Sequence, residues 1–213
     1  MGYDAFLSGL AMMPRGVGAM LTIFFIGSVG SKINEKILVV IGLVLLSTSG
    51  FMLCNLNLNI ATVNIAIPNF IMGIGMAMCM IPIITLSTMT LTQAQMTNAS
   101  GVQNLLKNLG GAIGTSIVTT LISRKAQAHQ SFLVDNMTML NDNFAQRFQA
   151  YFAQFQTTLD SASANHMANT ILYKQMLQQA NMGAFKDTFE FCAMACVVII
   201  PLIFLIKGID KKS

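Results

Sequence analysis

Five stretches of this chain are too long and too apolar to fold as ordinary water-exposed helices, and they decide what it can become. The second, ILVVIGLVLLSTSGFMLCNL from Ile37 to Leu56, has no charged residue. About 20 mostly apolar residues are enough to cross a bilayer. Four more stretches qualify: Ala5 to Ser31, Val63 to Leu91, Gly101 to Ser123, and Thr188 to Ile206. The runs are continuous rather than alternating, which points to helices and not to a β-barrel. Only 9% of the 213 residues are charged, against roughly 25% in an average soluble domain. The expected fold class is all-α transmembrane.

The domain organisation follows from these runs. Residues 1–123 hold four spans (5–31, 37–56, 63–91 and 101–123). Residues 124–187 form a long connection, and 188–213 form the last span and a tail. Lysines in short connections set orientation. SKINEK carries Lys32 and Lys36, and the tail KGIDKKS carries Lys207, Lys211 and Lys212. Both are therefore expected on the cytoplasmic side, with the N-terminus and the 124–187 connection outside. An outward start with no basic leader points to a preceding helix, so the chain reads as the C-terminal part of a longer protein.

Function classes narrow in the same way. The net charge of +4 is small, and the basic residues are not interleaved with aromatics, so nucleic-acid binding is not expected. No phosphate-binding loop, nucleophile–base pair or metal-ligand spacing appears, so neither an enzyme nor a metal site is expected. Cys192 and Cys196 would share a helix face. With no histidine or carboxylate at ligand spacing, they read as small packing residues rather than a metal or redox pair.

Polar residues inside the spans are the candidates for function. Arg15 lies near the middle of the first run, in MMPRGVG. A charge there costs at least ~2.5 kcal/mol and usually faces a bundle interior or a water-filled path. Pro14 removes a backbone hydrogen bond, and Gly16 loosens the helix beside it. Arg15 reads either as a transport-site residue or as a structural arginine bonded to freed carbonyls. In the fourth run, Asn104 and Lys107 are a second polar point, and Lys107 could instead snorkel to the interface. Gly110, Gly111 and Gly114 offer a small-residue face for close helix packing. No carboxylate lies at mid-depth, so a proton-coupling acid would have to lie elsewhere.

In the outward connection, Phe144, Phe148, Phe152 and Phe155 recur at helical spacing, with Tyr151 and Leu159 on the same stripe. Met167, Ile171 and Leu172 hint at a second helix. The stripe reads as one side of a surface hairpin, with partner docking as the alternative. His129 and His166 read as solvated residues, with pH sensing the rarer alternative.

The fourth span carries a resemblance. ASGVQNLLKNLGGAIGTSI, Ala99 to Ile117, resembles the signature of the fourteen-span drug:proton antiporters of the major facilitator superfamily, the EmrB/QacA type. The matching positions are Ala99, Ser100, Gly101, Asn104, Lys107, Gly110, Gly111, Ile113 and Gly114, with lysine where the family more often has arginine. GLAMMPRGVGAM is similar to the family's Pro-Arg-Gly stretch. Gly27, Ser31 and Lys32 resemble a decayed cytoplasmic loop motif that has lost its acidic residue.

The resemblance implies spans ten to fourteen of a multidrug exporter in the bacterial inner membrane. Such a protein moves amphipathic drugs outward in exchange for protons and needs no cofactor. It implies an absent N-terminal half and, in Gram-negative members, a periplasmic adaptor and an outer-membrane channel. Arg15, Asn104 and Lys107 would then line or gate the substrate cavity. Alternatives are a carrier for another small solute, or a non-transporting subunit that scaffolds partners through its outward connection.

Overall fold

The computed structural model describes residues 5–29, 33–55, 62–88, 91–138 and 140–205. Their regular structure is six α-helices: α1 (Ala5–Val29), α2 (Glu35–Cys54), α3 (Thr62–Thr88), α4 (Gln93–Val134), α5 (Asp142–Gln156) and α6 (Ser161–Leu205). Four of them, α1 to α4, are long and apolar enough to cross a membrane. The fifth expected run, Thr188 to Ile206, falls on the C-terminal part of α6, a helix to Leu205 that is not among those four. The chain is an all-α, multi-pass membrane protein. Ser31, Lys32 and the lysine-bearing tail lie outside the described residues.

The contacts divide the chain into two units. One holds residues 2–116 and 188–213, and α3 is its central strut, with both α1 and α2 packed along it. Gly73 and Gly75 explain how one helix seats two neighbours. Two residues apart on a helix means roughly 200° around its axis, so the two glycines face nearly opposite ways. A side chain on Gly73 would collide with the Arg15 carbonyl oxygen of α1. A Cβ on Gly75 would lie 2.8 Å from the Gly42 oxygen and 3.0 Å from the Leu46 nitrogen of α2. Reciprocal glycines sit across each crossing: Gly18, whose Cβ would meet Phe70 O at 2.5 Å, and Gly42, whose Cβ would meet Gly75 O at 2.8 Å. Backbone-to-backbone packing of this kind is how helices associate in lipid, where burying apolar surface gains little.

Around these crossings, Val39, Leu43 and Cys79 form a buried cluster flanked by Leu46, Cys196, Ile200 and Ile203. Gly50 brings α2 close to α6, where a Cβ would lie 2.9 Å from Ala193 Cβ. Cys79 and Cys196 thus serve as small packing residues, and all four cysteines are free thiols. At one end of α2, Asn34 caps the helix, its side-chain oxygen accepting from the Lys36 amide at 3.0 Å. The hydroxyl of Ser49, fully buried, donates to the Pro68 carbonyl at 2.8 Å.

The other unit comprises residues 117–187. Here the helices do not stop where the apolar runs stop. The chain from Arg124 to Val134 continues α4, and Ser161 to Asp187 continues into the last apolar run as α6. The expected free connection is therefore largely two helix extensions. RKAQAHQSFLV is rich in good helix formers and has no glycine or proline to end the helix. At 42 residues, α4 has about twice the residues needed to cross a bilayer.

The aromatic stripe forms α5 as expected, but its apolar face is already occupied. Phe148 is buried against Ala168 and Leu172 of α6, and Phe144, Tyr151 and Phe152 pack around it. The rings of Phe144, Phe148 and Phe152 stack in sequence, with centroids 6.3 and 6.0 Å apart. Tyr151 accepts a hydrogen bond from Gln175 at 2.8 Å. This is the hairpin arrangement, with Phe148 buried and Phe144 and Phe152 half-buried against it. Phe155 is half-buried on the same helix.

A second correction concerns His129. It is not simply solvated: its Nε2 lies 3.2 Å from Asp187 Oδ2, and Lys125 Nζ lies 3.2 Å from the same oxygen. Lys125 and His129 are one turn apart on α4 and converge on one carboxylate of α6. Gly183 leaves room for the imidazole, since a Cβ there would come within 3.1 Å of the ring. Burial pushes the Asp187 carboxyl up, but hydrogen bonds and charge from Lys125 and His129 together outweigh it and hold it below the usual carboxylate range.

Two expected outcomes follow from this packing. Gly75→Leu or Gly73→Val forces backbones apart and should destabilise the purified protein by about 1–3 kcal/mol, read as a lower melting temperature in detergent. Gly114→Ala, at a position with open space around it, should leave the melt unchanged; equal effects at both places would refute the crossing.

For Asp187 the folded pKa is depressed, so its contribution is fully present above the ordinary carboxyl value of 3.8 and fades as pH falls through the lower folded value. Wild type should lose stability in that acid window, and Asp187→Asn should flatten the dependence. Because the pair is partly exposed, the change should stay within about 1 kcal/mol.

Candidate functional site

The polar candidates within the spans separate into a pinned site and an open one. Arg15 belongs to the first. It is the seventh residue of the 20-residue span Gly9–Ser28, six steps or roughly 9 Å from that end. It therefore sits nearer one-third depth than the middle. Its backbone is pressed onto Gly73 of α3, and its side chain reaches along α3, where Nη2 donates to Met76 Sδ at 3.1 Å. No backbone carbonyl among the described residues accepts from the guanidinium, so the carbonyl-bonded arginine is not the arrangement observed.

Pro14 is half-buried in α1. Gly16 has nothing within 4 Å of where a Cβ would be, so its face of α1 is open and is not a packing surface. Gly27 also faces open space.

Met76 was not singled out by sequence, yet it is the residue Arg15 touches. It stands between Met72 and Met80, each one helical turn away. The spacing places the three thioethers on one face of α3, drifting only about 80° over two turns. Met72 and Met80 are half-buried and Met76 is 41% exposed. The available signal was the i, i+4, i+8 repeat, lost among 17 methionines in the chain.

The second site lies on α4. Asn104 and Lys107 are exposed, and Gly110, Gly111 and Gly114 have no atom near the place of a Cβ. Their packing surface is free within the described residues. Leu105, Leu106, Leu109, Ile113 and Ile117 share this exposure. In the same stretch, the amide of Gln103 donates to the hydroxyl of Ser87 on α3. Arg15 and Lys107 are not brought into contact with each other.

The arrangement holds one fixed cation against a flexible apolar stripe and presents a second on an open helix. Among the described residues, no three His, Cys, Asp or Glu side chains cluster together.

No established family pattern matches the chain, and no solved structure matches it. Several characterised or named proteins do. An "Uncharacterized MFS-type transporter YhcA" from Bacillus subtilis is 22% identical over 214 residues, covering 100% of this chain and 40% of that protein. A "Probable multidrug resistance protein EmrY" from Escherichia coli is 27% identical, covering 97% of this chain and 39% of its own length. A "Multidrug export protein EmrB" from Haemophilus influenzae is 26% identical, covering 92% and 38%. The chain thus spans about two fifths of the length of these relatives. Along nearly all of its own length, it is homologous to the EmrB-type multidrug transporters of the major facilitator superfamily.

Proposed function

We propose that the chain supplies part of the translocation path of a multidrug exporter in the bacterial inner membrane, with its C-terminus in the cytoplasm. The similarity to a named multidrug export protein over 97% of the chain carries the reading. The open α4 face with Asn104, Lys107, Gly110 and Gly114 supports it, because such a face suits a helix that lines a path or slides against another bundle. Amphipathic compounds would leave in exchange for protons, with no cofactor. The coupling acid would be supplied from outside this chain, since its spans carry no carboxylate at depth.

In this role Lys107 gates the cytoplasmic entrance and the methionine-rich walls accommodate ligands of varied shape. The long α4 and α6 extensions would stand outside the membrane, where an adaptor leading to an outer-membrane channel could meet them. The aromatic stripe of α5 would not be that contact, because α6 covers it.

Reconstitution tests the proposal. Liposomes holding a protein of the relatives' full length, with this chain in place, should expel an amphipathic dye when a proton gradient is imposed. Liposomes holding the 213-residue chain alone should not. In the long protein, Lys107→Ala should cut the rate severalfold. Absence of gradient-driven efflux from the long protein would overturn the assignment, and efflux from the short chain would overturn its dependence on the rest.

A further inference from the structure

α4 is tied to α3 close to where it starts. The Gln103 amide donates to the Ser87 hydroxyl near the end of α3. Ala99 and Gln103, one turn apart, are half-buried, whereas every residue from Asn104 to Ser116 is exposed. α3 ends at Thr88 and α4 begins at Gln93, and so short a connection makes the two helices antiparallel neighbours. They are joined at one end and stand apart beyond it.

Counting from the tie brings two sets of residues face to face. Met80 precedes Ser87 by seven positions, and Gly110 follows Gln103 by seven; Met76 and Gly114 lie eleven positions away. On a helix, seven or eleven steps return to within about 20° of the starting direction, roughly 10 and 16 Å along the axis. In antiparallel helices Met80 is therefore level with Gly110, and Met76 with Gly114, each on the side turned to the other helix. A Cβ on Gly110 or Gly114 would have nothing within 4 Å, so the methionines are not seated there. Their shapes are complementary all the same. A flexible thioether chain opposite a residue without a side chain is a knob facing a hole, and close contact of this kind is what joins helices in lipid.

Both helices can bend towards each other. Pro82, fully buried between Met80 and Ser87, removes one backbone hydrogen bond from α3. On α4, Gly110, Gly111 and Gly114 loosen the segment that would have to move.

Resting on the export reading above, we propose that α4 is a strap that closes on α3, pivoting on the Gln103–Ser87 tie and seating Met80 and Met76 over Gly110 and Gly114. The structure holds the open form. Closing removes the crevice between the two helices, so the wall that α4 gives to the path is open in one state and shut in the other. Gln103 is a positioning residue in this device: it sets the point about which α4 turns.

Cysteine crosslinking tests this in a cysteine-free protein of the relatives' full length, reconstituted in liposomes. Met80→Cys with Gly110→Cys should form a disulfide on oxidation by copper phenanthroline. Dye efflux should then fall at least tenfold below that variant's own rate before oxidation and recover with dithiothreitol. Met76→Cys with Gly114→Cys repeats the test one turn further along. Met80→Cys with Leu109→Cys, turned about 120° away from the tied side, should not crosslink. Ser87→Cys with Gln103→Cys, bridged by a short bifunctional methanethiosulfonate, should keep the rate it had before bridging, because a pivot need not open. Gel filtration confirms that each variant folds. The strap is refuted, and export left standing, if neither methionine–glycine pair crosslinks, if the crosslinked protein exports at its earlier rate, or if bridging the tie stops efflux. If wild-type protein expels no dye, the export reading fails, and crosslinking of the two pairs still decides whether α4 closes on α3.

Discussion

The close approach of three backbones at Gly73 and Gly75 is the constraint on which the α1–α3 assembly depends. In lipid, leucine and isoleucine gain little by leaving one neighbour for another, so packing has to come from contact distance. Glycine supplies it by removing the atom that would hold the helices apart. Because the two glycines face opposite sides of α3, one short segment, Gly73-Ile74-Gly75, sets the position of α1 on one side and α2 on the other. The same contact determines where the charge of Arg15 goes. Its carbonyl is the atom resting on Gly73, so its side chain starts beside α3. One missing Cβ thus fixes both the crossing and the place from which the charge starts.

Hydropathy made the spans legible, and local chemistry made their ends legible. α1, α2 and α3 begin and end within about three residues of the apolar runs, as helix boundaries usually can be placed. α5 was visible because phenylalanines at three- and four-residue spacing admit one periodicity. The extensions of α4 and α6 were not, because hydropathy reports where a helix leaves lipid and not where it ends. Arg124 to Val134 is polar yet strongly helix-forming, and only propensity distinguishes that from a loop.

Residues that meet across long separations were the least legible. Nothing local ties Lys125 and His129 to Asp187, 58 positions beyond His129. Reading for a small-residue motif singled out other glycines than those that make the contacts seen here. Gly110 and Gly114 have the familiar spacing and face open space, whereas Gly73 and Gly75 have an unremarkable one and make the contacts. A spacing of four marks one helix face. A spacing of two marks two opposite faces, and that is what a central helix requires.

The polar groups within the spans show why Arg15 differs from its neighbours. Thr22 donates to Gly18 O at 2.8 Å, Thr48 to Val44 O at 2.8 Å and Thr85 to Ile81 O at 3.0 Å. Each hydroxyl is satisfied four residues back on its own helix, so its presence in lipid needs no second helix and implies no ligand. A guanidinium has no such local solution: its charge persists whatever carbonyl it meets. α1 and α3 position its backbone and give it a polarizable neighbour in Met76, and no carboxylate among the described residues forms an ion pair with it. Met72 and Met80 flank that contact one turn to either side, so the α1–α3 crossing holds the charge and the thioether stripe side by side.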